Sequence, residues 1–249
     1  MESLSSREQI LARIRDGLSR QARPPFVPVP LPPFRAKTAE LDEGEHVAQF
    51  ISELVRVGAD AAQLSTEAEV KGHLESLLPA SPDAPVALSD GLGVRQLRLR
   101  EWLVGAGRRV VPSLKEFIAE GLQTPRAEGV ATLVEQYKGL LLEATVGITT
   151  ADFALADTGT LVIVSGDEQH RLISLLPSTH VCLLDPARII PSLTYLLAHM
   201  RGRFSPPESA PKNMTCITGP SRTADIEQAI TLGVHGPKSL HVILYSSAR

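Results

Sequence analysis

The chain has 249 residues, with 25 Lys and Arg against 28 Asp and Glu, a formal net charge of −3 and 43% hydrophobic residues. A chain of that size buries roughly three quarters of its unfolded surface, enough for one large domain or one domain with an arm. The charge balance argues against nucleic acid as a partner, and no stretch approaches the roughly 20 apolar residues of a membrane span.

Ser5 to Glu8 reads as a capping box, and Ile10, Leu11, Ile14 and Leu18 then share one helical face. Residues 24–33 hold six prolines, a composition that favours extended polyproline II and cannot enter a sheet interior. Residues 1–41 are thus expected to form a helical, proline-rich arm, and residues 42–249 the body. A stiff spacer favours an arm that reaches a neighbouring subunit or partner over a strap on its own core. The body opens with a helix at 44–57, a strand at 61–65 and a capping box, Thr66 to Glu69, that starts a helix to Leu78. A strand at 85–88, a helix at 94–103, a strand at 108–111 and a helix from Ser113 to about Leu122 follow. This rhythm predicts an α/β fold, a mainly parallel sheet flanked by helices. Arg95, Arg98 and Arg100 alternate with core-type residues and lack interleaved aromatics, which reads as a solvated face.

Residues 123–180 break the rhythm. A loop at 123–129, a short helix at 131–138 and a buried strand at 140–146 precede a hairpin, in which 154–156 and 160–164 flank the turn Asp157-Thr158-Gly159. The chain then alternates again: a strand at 181–184, a helix at 191–201, a proline-bearing loop at 202–213, a strand at 214–218, a helix at 225–231 and a strand at 240–245. Cys182 and Cys216 are the only cysteines, each in an apolar, strand-like run, so both are expected to be buried and reduced. They supply no ligand set for an iron–sulfur cluster or a structural zinc. The N-terminus lacks a basic segment followed by an apolar one, which predicts a cytoplasmic protein.

The run from Cys216 to Glu227 looks like a strand feeding a helix through an anion-holding loop. Gly219-Pro220 breaks the ladder, Ser221 or Thr223 caps the helix, and the first-turn amides and Arg222 converge on one small volume suited to phosphate or carboxylate. A capped helix with a solvated arginine explains the same residues.

Three ordered motifs carry a family resemblance. Thr218-Gly219-Pro220-Ser221-Arg222-Thr223-Ala224-Asp225-Ile226-Glu227, closed by Gly233-Val234-His235-Gly236-Pro237, resembles the C-terminal signature of the lactate-utilisation protein C family (LutC/YkgG), whose core is the LUD domain. Gly147 to Val162 and Leu175-Leu176-Pro177-Ser178-Thr179-His180-Val181 are similar to two further family elements. The resemblance implies a fold like that of the ribose-phosphate isomerase and CoA-transferase superfamily, and a role in oxidising L-lactate to pyruvate beside iron–sulfur partner proteins. Any cluster would then reside on those partners, with no cofactor on this chain.

The chemistry-bearing candidates are few. Asp157 in its glycine-relieved turn serves as a base only if burial raises its pKa, while Thr158, Gly159 and Thr160 supply amides and hydroxyls. His180 and His235 are candidate acid/base or anion-binding groups, and His170 reads as a surface residue. Glu143, beside a buried strand, is the one candidate for an acyl-transfer nucleophile, against the simpler reading of a solvent-facing carboxylate. Gly91-Leu92-Gly93 lacks the third glycine of a dinucleotide fingerprint, and no metal-binding spacing occurs. These residues predict a small carboxylate or phosphate-bearing ligand held by Thr158, Gly159, Thr160, Gly219, Ser221, Arg222 and Thr223, with His180 and His235 on its rim. A non-catalytic scaffold subunit and a free-standing isomerase or acyl-transfer enzyme are the alternatives, and a homo-oligomer is a candidate assembly.

Overall fold

A parallel sheet organises the body. The computed structural model describes residues 6–20, 42–123, 129–166, 169–203, 211, 213–224 and 230–246. The chain divides into two units, Met1–Phe34 and Arg35–Arg249. In the first, helix α1 (Ser6–Arg20) exposes Ile10, Leu11 and Ile14. The proline-rich run lies outside the described residues.

In the body, Asp42 caps α2 (Glu43–Arg56) through a reciprocal capping box with Glu45, and β1 (Asp60–Gln63) follows. Thr66 and Glu69 cap α3 (Glu67–Leu77) in the same way, ahead of β2 (Val86–Leu88). The single helix expected at 94–103 is two, α4 (Leu92–Gln96) and α5 (Leu99–Gly105), because Arg98 takes a left-handed φ of 50° between them. Next come β3 (Val110–Val111), α6 (Leu114–Leu122), capped by Ser113 and Glu116, and α7 (Val130–Glu143).

Helix α7 corrects the expected strand at 140–146. Its buried Leu133, Tyr137 and Leu141 are spaced at four residues, so the helical face continues through the leucine triplet, and Leu142 is 67% exposed. The strand β4 starts only at Val146 and runs to Thr150. Then follow β5 (Phe153–Leu155), β6 (Thr160–Val164), β7 (Thr179–Leu184), β8 (Ile189–Ile190), α8 (Leu193–Arg203), β9 (Met214–Ile217), β10 (Arg222–Ala224), β11 (Ile230–Leu232) and β12 (Ser239–Leu244).

Six strands form the main sheet in the order β1-β12-β7-β4-β2-β3, every neighbouring pair parallel. Such sheets are covered on both faces. One face carries Val86, Leu88, Val146, Ile148, Val181 and Leu183 under the apolar stripes of α3, α4 and α5. The other carries Cys182, Leu184, Leu240, Val242 and Leu244, packed against Phe50 and Leu54 of α2 and against Ala154 and Leu161. Toward β2 and β3 the same face is covered by Tyr137 and Leu141 of α7 and by Ile173. The expected hairpin is real but larger than an insertion: β5 and β6 belong to a second sheet of order β8-β5-β6-β9, whose outer face packs on Leu196 and Met200 of α8.

The hairpin turn meets α2 backbone to backbone. Gly159 has φ of 63°, and a Cβ placed there would lie 2.5 Å from the Leu54 nitrogen. Gly159→Ala is therefore expected to destabilise the protein by at least about 2 kcal/mol, combining the left-handed penalty with overpacking. Urea unfolding of the variant checks this, and an unchanged midpoint would contradict it.

Candidate functional site

The two loops predicted to share a ligand do meet. Thr158 Oγ1 hydrogen-bonds with Thr160 Oγ1 at 2.8 Å and donates to Asp157 Oδ1 at 3.2 Å, while Thr160 and Thr218 hydroxyls hydrogen-bond each other at 2.7 Å. Burial raises the Asp157 pKa above its ordinary value, although the Thr158 hydroxyl opposes the shift. Gly219, at φ of 85°, brings its loop to the Val57 carbonyl, where a Cβ would lie 2.9 Å away. The Arg222 guanidinium donates to that same carbonyl.

The electrostatic setting differs from the one expected. No helix opens at Ser221 or Thr223: Arg222–Ala224 is β10, paired antiparallel with β11, which replaces the end of the helix expected at 225–231. Residues 225–229 lie outside the described residues. The helix end that these loops contact is the C-terminal end of α2, where unpaired carbonyls concentrate negative potential. Arg222 meets that potential as a cap. Ser221 is held through its backbone, donating to the Pro237 carbonyl and accepting from Gly233 N–H. Thr223 pairs with Thr231 across the ribbon, and His235 is exposed in the following turn.

His180 is not on a rim. It is buried on β7, its Nε2 hydrogen-bonded to Thr149 Oγ1 at 2.7 Å and its Nδ1 without a partner. Burial pushes its pKa down to about 3, so the ring is neutral at pH 7. Of the cysteines, Cys182 is buried with its thiol pushed up to about 12, whereas Cys216 is exposed, contrary to expectation. Glu143 is exposed at the end of α7 and pairs with Arg109 at 3.3 Å. His170 is half-buried rather than superficial, its ring edge-on to Tyr137 at 5.8 Å. Among the described residues no group of three or more His, Cys, Asp or Glu is placed to hold a metal ion, and no helix is long and apolar enough to cross a membrane.

The sheet topology points to a different place. After β3 at one edge the chain returns to lay β4 on the other side of β2, so the loops after β2 and β4 diverge at their carboxyl ends. Open α/β sheets bind ligands at such a switch point. A cavity of about 350 Å3 lies there, lined by Gly91, Thr150, Asp152, Gln169, Asp185 and Arg188 over an apolar floor that includes Phe153, Leu183 and Met200. Gln169 links its walls: its Oε1 accepts from Thr150 N–H at 3.2 Å and its Nε2 donates to Asp152 Oδ2 at 3.2 Å. The same carboxylate oxygen accepts from Val164 N–H at 2.7 Å. Asp185 is engaged by Ala187 N–H at 3.0 Å, and Arg188 is exposed at the end of that short turn.

Thr150 Oγ1 stands apart, buried with no hydrogen-bond partner. Gly91 and Gly93 allow the start of α4 to approach it, since Cβ atoms there would lie 2.9 and 3.2 Å from the hydroxyl. This constellation offers hydrogen bonds and one cation to a small polar molecule. Sequence reading passed over it, although Thr150 and Asp152 stand inside the second motif. The available signal was a pair of polar residues directly after a buried strand.

With this geometry the comparisons with known proteins agree in fold. Residues 47–245 match the LUD domain, and the chain belongs to that family. Lactate utilization protein C of Bacillus subtilis (strain 168) is 36% identical over 132 residues, 53% of this chain and 54% of the relative. The protein of the same name from Geobacillus sp. (strain WCH70) is 37% identical over 103 residues, 41% of this chain and 43% of its own. The one from Bacillus licheniformis is 29% identical over 152 residues, covering 56% and 63%. The alignments thus span only part of the length of these relatives. The crystal structure of a DUF162 family protein from Deinococcus radiodurans superposes with a TM-score of 0.53 at 21% identity, covering 83% of this chain and 99% of that one.

Two outcomes follow from the placed residues. Arg222→Ala should lower stability by about 0.5–1.5 kcal/mol, the net worth of a hydrogen bond made by an exposed side chain, in urea unfolding. An effect below about 0.5 kcal/mol would return Arg222 to the pool of free surface cations. For His180 the folded ring resists a proton that the unfolded ring accepts near 6.5. Its contribution is therefore complete above about pH 6.5 and is lost as pH falls toward 3, by roughly 1.4 kcal/mol per pH unit. His180→Leu should flatten the slope of stability against pH between 6.5 and 4.5 by about one proton, and an unchanged slope would refute the assignment.

Proposed function

We propose that the chain acts in lactate utilisation, as a subunit whose ligand is a small carboxylate held in the cavity at the carboxyl ends of β4, β7 and β12. The role is supported by the name its relatives share. The position of the site is supported by one observation above all, the buried Thr150 hydroxyl without a partner at the cavity wall. Leaving such a group unsatisfied costs about 1–3 kcal/mol, a penalty that a ligand oxygen would remove.

In this reading Arg188 meets the carboxylate from the rim, and Thr150 donates to, or accepts from, the ligand's polar end. Asp152 and Gln169 hold one another and the end of β6 in place, so they position the wall. The electron-transfer chemistry of lactate oxidation falls to iron–sulfur partner proteins in the cytoplasm, and this chain carries no cluster.

Complementation of growth on L-lactate, in a strain lacking its own homologue, tests the proposal. Thr150→Val keeps the shape and removes the unsatisfied hydroxyl, so thermal stability should hold or rise while growth falls by at least tenfold in rate. Arg188→Glu should fail in the same way. Wild-type growth of both variants would remove the cavity from the mechanism, and failure of the wild-type chain to complement would remove the role.

A further inference from the structure

A second cavity, of about 460 Å3, shares the loop after β2 with the first: Gly91 lines one and Asp90 the other. Its walls are apolar. Leu88, Leu114 and Ile118 of α6, Tyr137 of α7 and Ile173 line it. The Tyr137 ring is tilted against Phe117 at 5.6 Å and meets the edge of His170 at 5.8 Å, which makes an aromatic wall.

The polar atoms around this space are mostly committed. Ser113 Oγ accepts from Glu116 N–H at 3.3 Å, and Asp90 pairs with Arg100 at 3.6 Å. Two are not. His170 Nδ1 is buried with no hydrogen-bond partner. Lys115 lines the cavity, is exposed, and forms no ion pair among the described residues. Burial, with Arg171 and Lys138 nearby, lowers the pKa of His170, so its ring is a neutral, aromatic hydrogen-bonding wall.

A three-carbon hydroxy acid would leave most of this apolar surface uncovered, whereas cavities of a few hundred Å3 with apolar walls and one or two convergent polar groups suit larger organic ligands. We propose that this cavity is a second binding site, separate from the carboxylate site, for an aromatic monocarboxylate whose ring stacks against Tyr137 and His170 while its carboxylate meets Lys115. Offset or edge-on contact suits a flat ring against these two side chains, and the ammonium fixes its orientation. The His170 Nδ1 atom adds preference for a ring that carries its own hydroxyl.

Calorimetric titration of the full chain with 2-naphthoate tests this. One-site binding in the micromolar range is expected, at least tenfold weaker in Lys115→Glu. Ala119→Trp, on the exposed side of α6 beside the cavity, should abolish it, with circular dichroism confirming that the variant folds. 6-Hydroxy-2-naphthoate should bind three- to tenfold more tightly than 2-naphthoate, an advantage lost in His170→Phe. Absence of binding at millimolar 2-naphthoate, or equal binding by the Lys115 and Ala119 variants, would overturn the proposal. So would binding that Thr150→Val removes and Ala119→Trp leaves intact, since the probe would then occupy the first cavity. Loss of lactate-dependent growth plays no part in this outcome, so the two sites stand or fall separately.

Discussion

The last turn of α2 is where the two sheets of the body are joined, and the joint works only because side chains are missing. Gly159 from the hairpin and Gly219 from the loop after β9 each bring backbone against α2 at distances that a Cβ would close. Gly58, at φ of 83°, leaves room for the Arg222 guanidinium to reach the Val57 carbonyl. The two backbone contacts, at Gly159 and Gly219, have no flexible side chain to absorb an error, so they fix the second sheet relative to the first. Strand β6 starts at this joint and ends at Val164, whose N–H grips Asp152 at the cavity wall. Five residues at about 3.3 Å each carry the constraint from one to the other.

The same joint explains why hydroxyl-rich, glycine-relieved motifs need not be ligand loops. A threonine chain through Thr158, Thr160 and Thr218 uses its hydroxyls on itself. The nearest helix end is a C-terminus, which repels an anion and attracts the Arg222 guanidinium. By contrast, the carboxyl edge of the sheet holds a polar atom that folding has left unsatisfied. Motif composition locates loops that need special backbone, and only the balance of donors, acceptors and dipole sign separates a clasp from a binding site.

Much of the architecture was legible because it is local. The capping boxes at Thr66 and Ser113 mark helix starts in four residues each, and the alternation from Ala61 to Leu122 announces a parallel sheet. What failed was arbitrated by tertiary contact. Leu140 to Glu143 is as good a strand as a helix on composition, and the four-residue spacing back to Leu133 decides it. The helix expected at 225–231 gives way to β11 at 230–232, because an antiparallel pairing with β10 is a contact between segments and leaves no local pattern. The expected ligand loops follow the rule that ligands sit beyond strand ends, applied to β9; the structure shows β9 to be antiparallel, whereas the parallel strand β4 ends at Thr150.

Buried polarity at the centre of the main sheet specifies its register. Thr149 lies opposite Cys182 on neighbouring parallel strands, and His180 reaches Thr149 from two residues before Cys182. All three face the side shared with α2, while Val146, Ile148, Val181 and Leu183 face the wholly apolar side under α3, α4 and α5. A slip of β4 by one residue would drive Thr149 into that apolar layer and leave His180 with no partner at all, since side chains alternate faces with a period of two. Burying an unpaired hydroxyl and an unpaired imidazole together costs several kcal/mol, far more than a register shift would recover. Because β4 ends at Thr150 and β7 ends at Leu184, the same polar pairing that prevents slippage also sets how far Thr150 stands from Asp185 across the mouth of the cavity.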